Sequence, residues 1–131
     1  QHFSREELTE LTPRLAPDTP TGLDYLPLPG PGERFPVSDP ELQPRLRPRP
    51  DDPVRFLQGL LEGIAAIEVQ GYRRLAELGA PYPVSVRTAG GGAANPAWTR
   101  IRGRLLGVPM VAADATEAAC GAARLAMGPV D

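Results

Sequence analysis

The sequence predicts an α/β fold, in which helix, strand, helix, strand and helix follow one another over residues 54–131. Three observations predict it. Leucine and isoleucine recur at helical spacing after Pro53, a β-branched run fills residues 83–88, and a second short apolar run fills residues 108–111. Because the helix at residues 96–107 separates the two strands, it is predicted to be the crossover of a parallel pair.

The prolines divide the chain into two parts, since twelve of the seventeen lie in residues 1–53 and five lie in residues 54–131. Proline removes backbone donors and interrupts helices, so residues 1–53 are predicted to be a loop segment with one short helix. Ser4 and Glu7 have the spacing of a capping box at the start of that helix, and Pro13 ends it. The predicted apolar anchors of the loop segment are Leu23, Tyr25, Leu26, Leu28 and Phe35.

The long helix that follows is predicted to begin at a cap formed by Asp51 or Asp52 and to end at Gly79. Gly59 and Gly63 are one turn apart, which lets another element pack closely against this helix. Its predicted buried stripe consists of Leu57, Leu60, Leu61, Ile64, Ile67, Gly71, Leu75 and Leu78.

Two further helices are predicted from their capping residues. Asn95 caps the helix that opens at Pro96, and Thr116 caps a last helix over residues 117–127. Cys120 lies among small residues of this last helix and no histidine is available to activate it, so we expect a buried, unreactive thiol. The alanines expected to form a flat packing face are Ala118, Ala119, Ala122, Ala123 and Ala126.

The composition argues against several classes of function. A net charge of -2 does not suit a surface for nucleic acid or anionic membrane, and no apolar run reaches the length of ~18 residues that a membrane helix needs. His2 is the only histidine, which argues against a histidine-ligated metal. One cysteine and a start at Gln1 without a signal-peptide pattern lead us to expect a fragment of a cytoplasmic protein.

The strongest functional signal is a run of three glycines, Gly90, Gly91 and Gly92, between the first predicted strand and the helix capped by Asn95. Two interpretations stay open. Bare backbone lets a nucleotide base or phosphate approach closely while Asn95 offers an amide, or the glycines form a tight turn that needs positive φ. The run lacks the lysine of a P-loop and the spacing of a dinucleotide-binding fingerprint. Trp98 either stacks on a base or fills the core.

Several segments together resemble the C-terminal domain of FGGY carbohydrate kinases. They are Thr-Ala-Gly-Gly-Gly-Ala-Ala-Asn-Pro-Ala-Trp at residues 88–98, Leu-Gly-Val-Pro at residues 106–109, and Glu-Ala-Ala-Cys-Gly-Ala-Ala at residues 117–123. Residues 22–27, 32–36 and 62–65 resemble the opening and the long helix of that domain. The resemblance runs from Thr21 to Met127 in consistent order, with details closest to the ribulose and xylulose kinases. The chain departs from the family pattern where Pro109 follows Val108 and where Met110 stands.

This resemblance implies an actin-like, ribonuclease-H-like ATPase fold of two domains with ATP between them, of which this chain is the C-terminal portion. In the family, the glycine turn and the nearby asparagine contact the adenosine end of ATP. The implied nucleotide-binding residues are Gly90, Gly91, Gly92, Ala94 and Asn95. Asp114 is the remaining acidic candidate near the ligand side.

The resemblance also implies the partners: ATP with Mg²⁺, a ketose such as D-xylulose or D-ribulose, and an N-terminal kinase domain that carries the sugar contacts. The family's catalytic aspartate has no counterpart in this sequence, so we expect no kinase activity from the chain alone. Exposed inter-domain surface leads us to expect self-association. The alternative is a non-catalytic nucleotide-binding or protein-interaction module of the same fold.

Overall fold

The computed structural model describes residues 2–113 and 118–127 of the 131-residue chain. The helices and strands are α1 (Arg5–Leu11), α2 (Pro53–Glu77), β1 (Val86–Arg87), α3 (Pro96–Leu106), β2 (Met110–Val111) and α4 (Ala118–Met127). Two 3₁₀ turns, Thr12–Arg14 and Gly91–Ala94, follow α1 and precede α3. The predicted mixture of helices and a small parallel sheet is confirmed.

The short N-terminal helix has the predicted capping box. The N–H of Glu7 donates to Oγ of Ser4 at 3.1 Å, and the N–H of Ser4 donates to Oε2 of Glu7 at 2.7 Å. The helix ends at Leu11, and Pro13 lies in the 3₁₀ turn that follows, because its ring cannot continue the α-helical hydrogen bonds.

The 25-residue helix α2 begins at Asp52, whose Oδ1 accepts the N–H of Val54 at 2.9 Å. Of the two predicted caps, Asp52 is therefore the one used. The helix ends one residue before Leu78, and Gly79 adopts the left-handed φ of 101° that such an end requires. The predicted bounds of the helix are thus confirmed within a residue or two.

The two strands pair in parallel, as predicted, with Val86 opposite Met110. The N–H of Val86 donates to the carbonyl of Pro109 at 3.0 Å, and α3 is the crossover between the strands. Each strand has only two residues, fewer than predicted. Pro83 and Pro109 lack N–H groups, and Val84 is largely exposed. The hydrogen-bonded pairing of the strands therefore does not extend toward the residues that precede Val86 and Met110.

The loop segment of residues 17–50 lies against α2 through an aromatic contact. Tyr25 is 3% exposed, and its ring centroid lies 5.8 Å from that of Phe56. Leu28 is also buried, as predicted. Phe35 is not a buried anchor, since 46% of it is exposed. Its ring lies along the surface beside Gly71, where α2 is bare.

The predicted buried stripe of α2 is wrong in part, because Ile64, Leu75 and Leu78 are exposed. The helix packs against the loop segment on one side and against α3 on another, so its buried surface is wider than one apolar stripe and is rotated away from these three residues. The buried residues of α2 are Phe56, Leu57, Gln58, Gly59, Leu60, Glu62, Gly63, Ala65, Val69 and Gly71.

The last helix, α4, is solvent-exposed over most of its described side chains. Cys120 is exposed, so the predicted burial of its thiol is wrong. Leu125 and Met127 are exposed as well, because no described residue covers this face. The exposed alanines are Ala119, Ala122, Ala123 and Ala126. The predicted cap Thr116 lies outside the described residues.

A buried polar network, which we call the Glu62 network, joins α2, α3 and the loop segment. It consists of Gln58, Glu62, Arg104, Thr21 and Pro17. Nη2 of Arg104 donates to Oε1 of Glu62 at 2.6 Å, and its Nε donates to the carbonyl of Pro17 at 2.9 Å. The hydroxyl and N–H of Thr21 both donate to Glu62. Nε2 of Gln58 donates to the same carboxylate at 3.2 Å. This network was not predicted from the sequence.

Tyr25 provides a prediction on pH dependence. Burial raises the pKa of its phenol above the ordinary value of 10.0, although Arg49 and Arg55 act in the opposite direction. The unfolded chain therefore loses this proton at a lower pH than the folded chain does. The stability that the protonated phenol of Tyr25 contributes is present below about pH 10 and falls as the pH rises toward the folded-state pKa. The chain has no lysine, so no lysine ammonium titrates in this alkaline range.

We expect Tyr25→Phe to weaken the loss of stability between about pH 9 and pH 11, roughly one pH unit either side of the ordinary phenol pKa, as measured by urea unfolding. At the lower pH the variant loses about 1 kcal/mol, because the Tyr25 hydroxyl donates a hydrogen bond to the carbonyl of Pro48. Identical alkaline slopes for the variant and the parent would contradict the expected role of the buried phenol.

Candidate functional site

The glycine turn connects β1 to α3 and is built by the backbone. Gly90 has φ 73° and ψ −165°, a conformation that favours glycine, and it turns the chain out of the strand. The N–H of Ala93 donates to the carbonyl of Gly90 at 3.1 Å, and the N–H of Asn95 donates to that of Gly92 at 3.2 Å. The turn is therefore a short 3₁₀ segment, Gly91–Ala94, and Asn95 alone separates it from α3.

Asn95 is the N-cap of α3, as predicted. Its Oδ1 accepts the N–H of Trp98 at 3.0 Å, and its carbonyl accepts the N–H and the hydroxyl of Thr99. No group among the described residues accepts a hydrogen bond from Nδ2 of Asn95. The amide oxygen is thus committed to the helix, and the two amide N–H groups remain able to donate to a ligand.

The three glycines have different structural reasons. The positive φ of Gly90 explains that position, and a Cβ on Gly92 would lie 3.3 Å from Nε1 of Trp98, which explains the third. Gly91 has neither reason: its φ is ordinary, and a Cβ there would meet nothing within 4 Å. The folding of the described chain does not require glycine at Gly91, so its bare backbone faces open space.

A cleft of about 430 Å³ lies beside the glycine turn, at the carboxyl ends of both strands. In parallel sheets this edge is the common place for ligands, because strand ends and helix N-termini meet there. The lining residues are Thr88, Ala93, Pro96, Thr99, Arg100, Met110, Val111, Ala112 and Ala113. The cleft walls are mainly apolar and include two threonines, Thr88 and Thr99.

One charged side chain at the rim of the cleft is already paired. Arg100 donates from Nη2 to Oδ2 of Asp18 at 2.6 Å and from Nε to Oδ1 at 3.2 Å. Both side chains are about two-thirds exposed, at 63% and 66%, so solvent screens the pair. The pair connects the loop segment to α3 at the edge of the cleft.

An ion pair between Arg102 and Glu68 lies beneath the glycine turn and, unlike the pair of Arg100 with Asp18, is mostly buried. Nε and Nη2 of Arg102 donate to the two carboxylate oxygens of Glu68 at 2.7 and 2.6 Å, and Nη1 donates to the hydroxyl of Thr88. The hydrogen bonds from Arg102 to Glu68 raise the pKa of this arginine further above its ordinary value, against the opposing effect of burial. The guanidinium also lies 5.4 Å from the ring of Trp98.

The predicted site residues Gly90, Gly91, Gly92, Ala94 and Asn95 lie in one turn, but none of them is among the residues that line the cleft, to which this turn contributes Ala93. Trp98 is half-buried and packs against Gly92, and it belongs to none of the apolar core clusters of the described residues. Asp114 lies outside the described residues. Arg102 and Glu68 were not predicted from the sequence. The signal that could have found Glu68 is the position of this charged residue on an otherwise apolar face of α2.

None of the helices in residues 2–113 and 118–127 is long and apolar enough to cross a membrane. The fold and the turn define the class of protein. It is an α/β domain in which a glycine turn contributes Ala93 to a cleft at the carboxyl ends of two parallel strands. A family model for the C-terminal domain of the FGGY family of carbohydrate kinases matches residues 2–128. The chain belongs to this family, and the match extends N-terminal to Thr21, where the sequence resemblance began.

Proposed function

We propose that this chain is the nucleotide-binding, C-terminal portion of an ATP-dependent carbohydrate kinase with an actin-like, ribonuclease-H-like fold. The proposed contacts to the adenosine end of ATP are Gly90, Gly91, Gly92, Ala94 and Asn95. The observation that carries the proposal is Gly91, whose missing side chain has no explanation in the described chain and leaves backbone open in a turn that contributes Ala93 to the cleft. Family membership supports a carbohydrate kinase as the whole enzyme.

The cleft suits a nucleoside better than a phosphate chain. Its walls include Pro96, Met110 and Val111, which offer apolar surface to a planar base. Its cation, Arg100, is paired with Asp18 and solvent-screened, so it supplies little attraction for phosphate. The adenosine end of ATP therefore fits this part of the site.

The residues of this chain bind and orient ATP. The backbone of Gly91 allows the nucleoside to approach closely, and the N–H groups of the Asn95 amide donate to it, because Oδ1 is held by the helix. Mg²⁺ bound with ATP neutralises charge on the phosphates. The acceptor is a ketose hydroxyl, as in D-xylulose or D-ribulose, and the base that takes its proton belongs to an N-terminal domain. This chain contributes positioning, which is a large part of catalysis in phosphoryl transfer.

The proposal predicts a specific effect of Gly91→Ala. In the kinase that contains this chain, we expect the KM for ATP to rise roughly tenfold, which corresponds to about 1.4 kcal/mol, while the KM for the sugar stays unchanged. The reason is that the new methyl group occupies space that the ligand needs, although it meets no protein atom within 4 Å. Steady-state kinetics with each substrate varied in turn measure both constants.

The matched control is Gly30→Ala. Gly30 also has an ordinary φ, and a methyl group added there would meet nothing within 4 Å, but it lies in the proline-rich loop away from the cleft. Gly30→Ala should leave both constants at the parental values. An unchanged KM for ATP in Gly91→Ala, with a folded protein, would contradict the proposed contact and favour the interpretation of the glycines as a turn.

Asn95 is tested by two substitutions that separate capping from binding. Asn95→Ser keeps an N-cap oxygen and loses the amide donors, whereas Asn95→Ala loses both and costs about 1 kcal/mol of stability. We expect both variants to raise the KM for ATP, and only Asn95→Ala to lower the midpoint of thermal unfolding clearly. A parental KM for ATP in Asn95→Ser would show that the amide donors do not bind the nucleotide.

Binding by the chain itself is measured by an amide NMR titration with Mg-ATP. We expect selective shifts at Gly90, Gly91, Gly92 and Asn95 that pyrophosphate alone does not produce. Repeating the titration on the kinase that contains the chain separates a site that needs a second domain from a turn that binds nothing. Shifts at the turn with pyrophosphate alone would contradict an adenosine subsite.

A further inference from the structure

The glycine turn lies on a layer of side chains that a single arginine connects. Arg102 is 8% exposed and reaches three elements: Glu68 on α2, Thr88 directly after β1, and Trp98 on α3. The contacts to Glu68 are bidentate, a geometry that fixes the plane of the guanidinium. Glu68 on α2 therefore holds Arg102 in place. Arg102 contacts Thr88 before the glycine turn and Trp98 after it.

Both of these ends contact the third glycine. A Cβ on Gly92 would lie 3.3 Å from Nε1 of Trp98 and 3.8 Å from Cγ2 of Thr88. The two residues that Arg102 contacts therefore form the floor below Gly92. A movement of either one changes the position of the turn, since Gly92 is the one glycine of the three where an added Cβ would lie within 4 Å of another residue.

Stability alone does not account for a charge at this place. A buried ion pair costs desolvation energy, and well-packed apolar residues often replace one without loss. A guanidinium, by contrast, has five donors in one plane, so it can fix a carboxylate, a hydroxyl and an aromatic face at once. The three partners of Arg102 are of these three kinds: the carboxylate of Glu68, the hydroxyl of Thr88 and the ring of Trp98.

We propose that Arg102 is the positioning residue of the nucleotide site: held by Glu68, it fixes Thr88 and Trp98 and thereby sets the shape of the glycine turn. The inference rests on the proposed function for its effect on ATP. Its effect on the turn is independent of any ligand. Arg102 does not itself line the cleft, so it acts through Thr88, which does.

Arg104 provides a matched control on the same helix. It lies two residues further along α3, and it also pairs with a glutamate of α2, since Nη2 donates to Oε1 of Glu62 at 2.6 Å. Its other partner is the carbonyl of Pro17 in the loop segment. Arg104→Lys therefore disturbs the same helix pair as Arg102→Lys but leaves the floor of the turn intact.

The first experiment measures amide hydrogen exchange of Ala93 and Asn95, whose N–H groups donate to the carbonyls of Gly90 and Gly92, in the ligand-free chain. We expect Arg102→Lys to accelerate exchange there about tenfold relative to Arg104→Lys, because a lysine cannot hold Glu68 and Thr88 together. The emission of Trp98, the only tryptophan in the chain, should also change in Arg102→Lys and remain parental in Arg104→Lys. Equal effects of the two variants on the turn would overturn the positioning role.

Glu68→Gln is the second variant, in case Arg102→Lys does not fold. It leaves Arg102 in place, keeps the size of the side chain, and lies outside the residues that line the cleft. The same direction of change in exchange and emission is expected, with a smaller size. Parental exchange at the turn in this variant, with parental emission of Trp98, would overturn the inference.

The second experiment measures the kinetic constants in the kinase that contains the chain. We expect Arg102→Lys to raise the KM for ATP about tenfold with the KM for the sugar unchanged, a scale typical of residues that support a site without touching the ligand. Failure of the parent to bind Mg-ATP would refute the proposed function, whereas the exchange data would still decide the positioning role. A disturbed turn with a parental KM for ATP would overturn the inferred effect on binding.

Discussion

Glu62→Ala is expected to lower the free energy of unfolding by about 3–5 kcal/mol, the largest loss among the substitutions considered. The carboxylate accepts hydrogen bonds from Arg104, Gln58 and Thr21, so its removal leaves several buried donors without an acceptor. The charge of Arg104 would remain in a site where its side chain is only 24% exposed. Urea unfolding followed by circular dichroism measures the loss.

An exposed ion pair on the same helix provides the control. Arg74 donates from Nη1 to Oε2 of Glu77 at 2.8 Å, with both side chains more than half exposed. Solvent screens this pair, so Glu77→Ala should cost no more than about 0.5 kcal/mol. Glu62→Gln should fall between the two, because it keeps one acceptor and loses the charge. Equal losses for Glu62→Ala and Glu77→Ala would contradict the importance of burial at Glu62.

The elements of this fold could be predicted because their signals are local. The caps Ser4, Asp52 and Asn95 each bond a backbone N–H two or three residues away, so their function is visible in a short stretch of sequence. The parallel pairing followed from the helix between two short apolar runs. It is confirmed by the register of Val86 with Met110.

The buried charges could not be predicted because their partners are distant in sequence. Arg104 and Glu62 are 42 positions apart, and Arg102 and Glu68 are 34 apart. A helical periodicity built from leucine and isoleucine treats Glu62 and Gln58 as surface residues. It therefore rotated the predicted stripe toward Ile64 and Leu75, which are exposed.

The candidate site was only partly accessible to sequence reasoning. The run of glycines gave its position, and the resemblance gave the proposed ligand, which stays a prediction. The sequence did not indicate which glycine lacks a structural reason. That distinction depends on three-dimensional surroundings, since Gly92 lies against Trp98 and Gly91 lies in open space. The layer formed by Arg102 and Glu68 was hidden for the same reason.

Gly63→Ala is the second large prediction, and we expect it to destabilise the chain by about 2–3 kcal/mol. The new methyl group would lie 2.8 Å from the carbonyl oxygen of Tyr25 and 2.8 Å from Cδ of Pro27. Both belong to the loop segment. The first is a backbone atom and the second is part of a proline ring, so neither can move aside as a flexible side chain can. Alanine favours a helix over glycine by about 1 kcal/mol, so the expected loss opposes the intrinsic preference.

Gly71→Ala on the same helix separates these two effects. Its methyl group would meet Cε1 of Phe35 at 3.1 Å, and Phe35 is 46% exposed, so this ring can give way toward solvent. We therefore expect Gly71→Ala to be neutral or to stabilise the chain by up to about 1 kcal/mol. Opposite signs for the two substitutions in urea unfolding would show that α2 requires glycine for the approach of the loop segment. A stabilising Gly63→Ala would instead mean that the backbone around Tyr25 moves away from α2 at little cost.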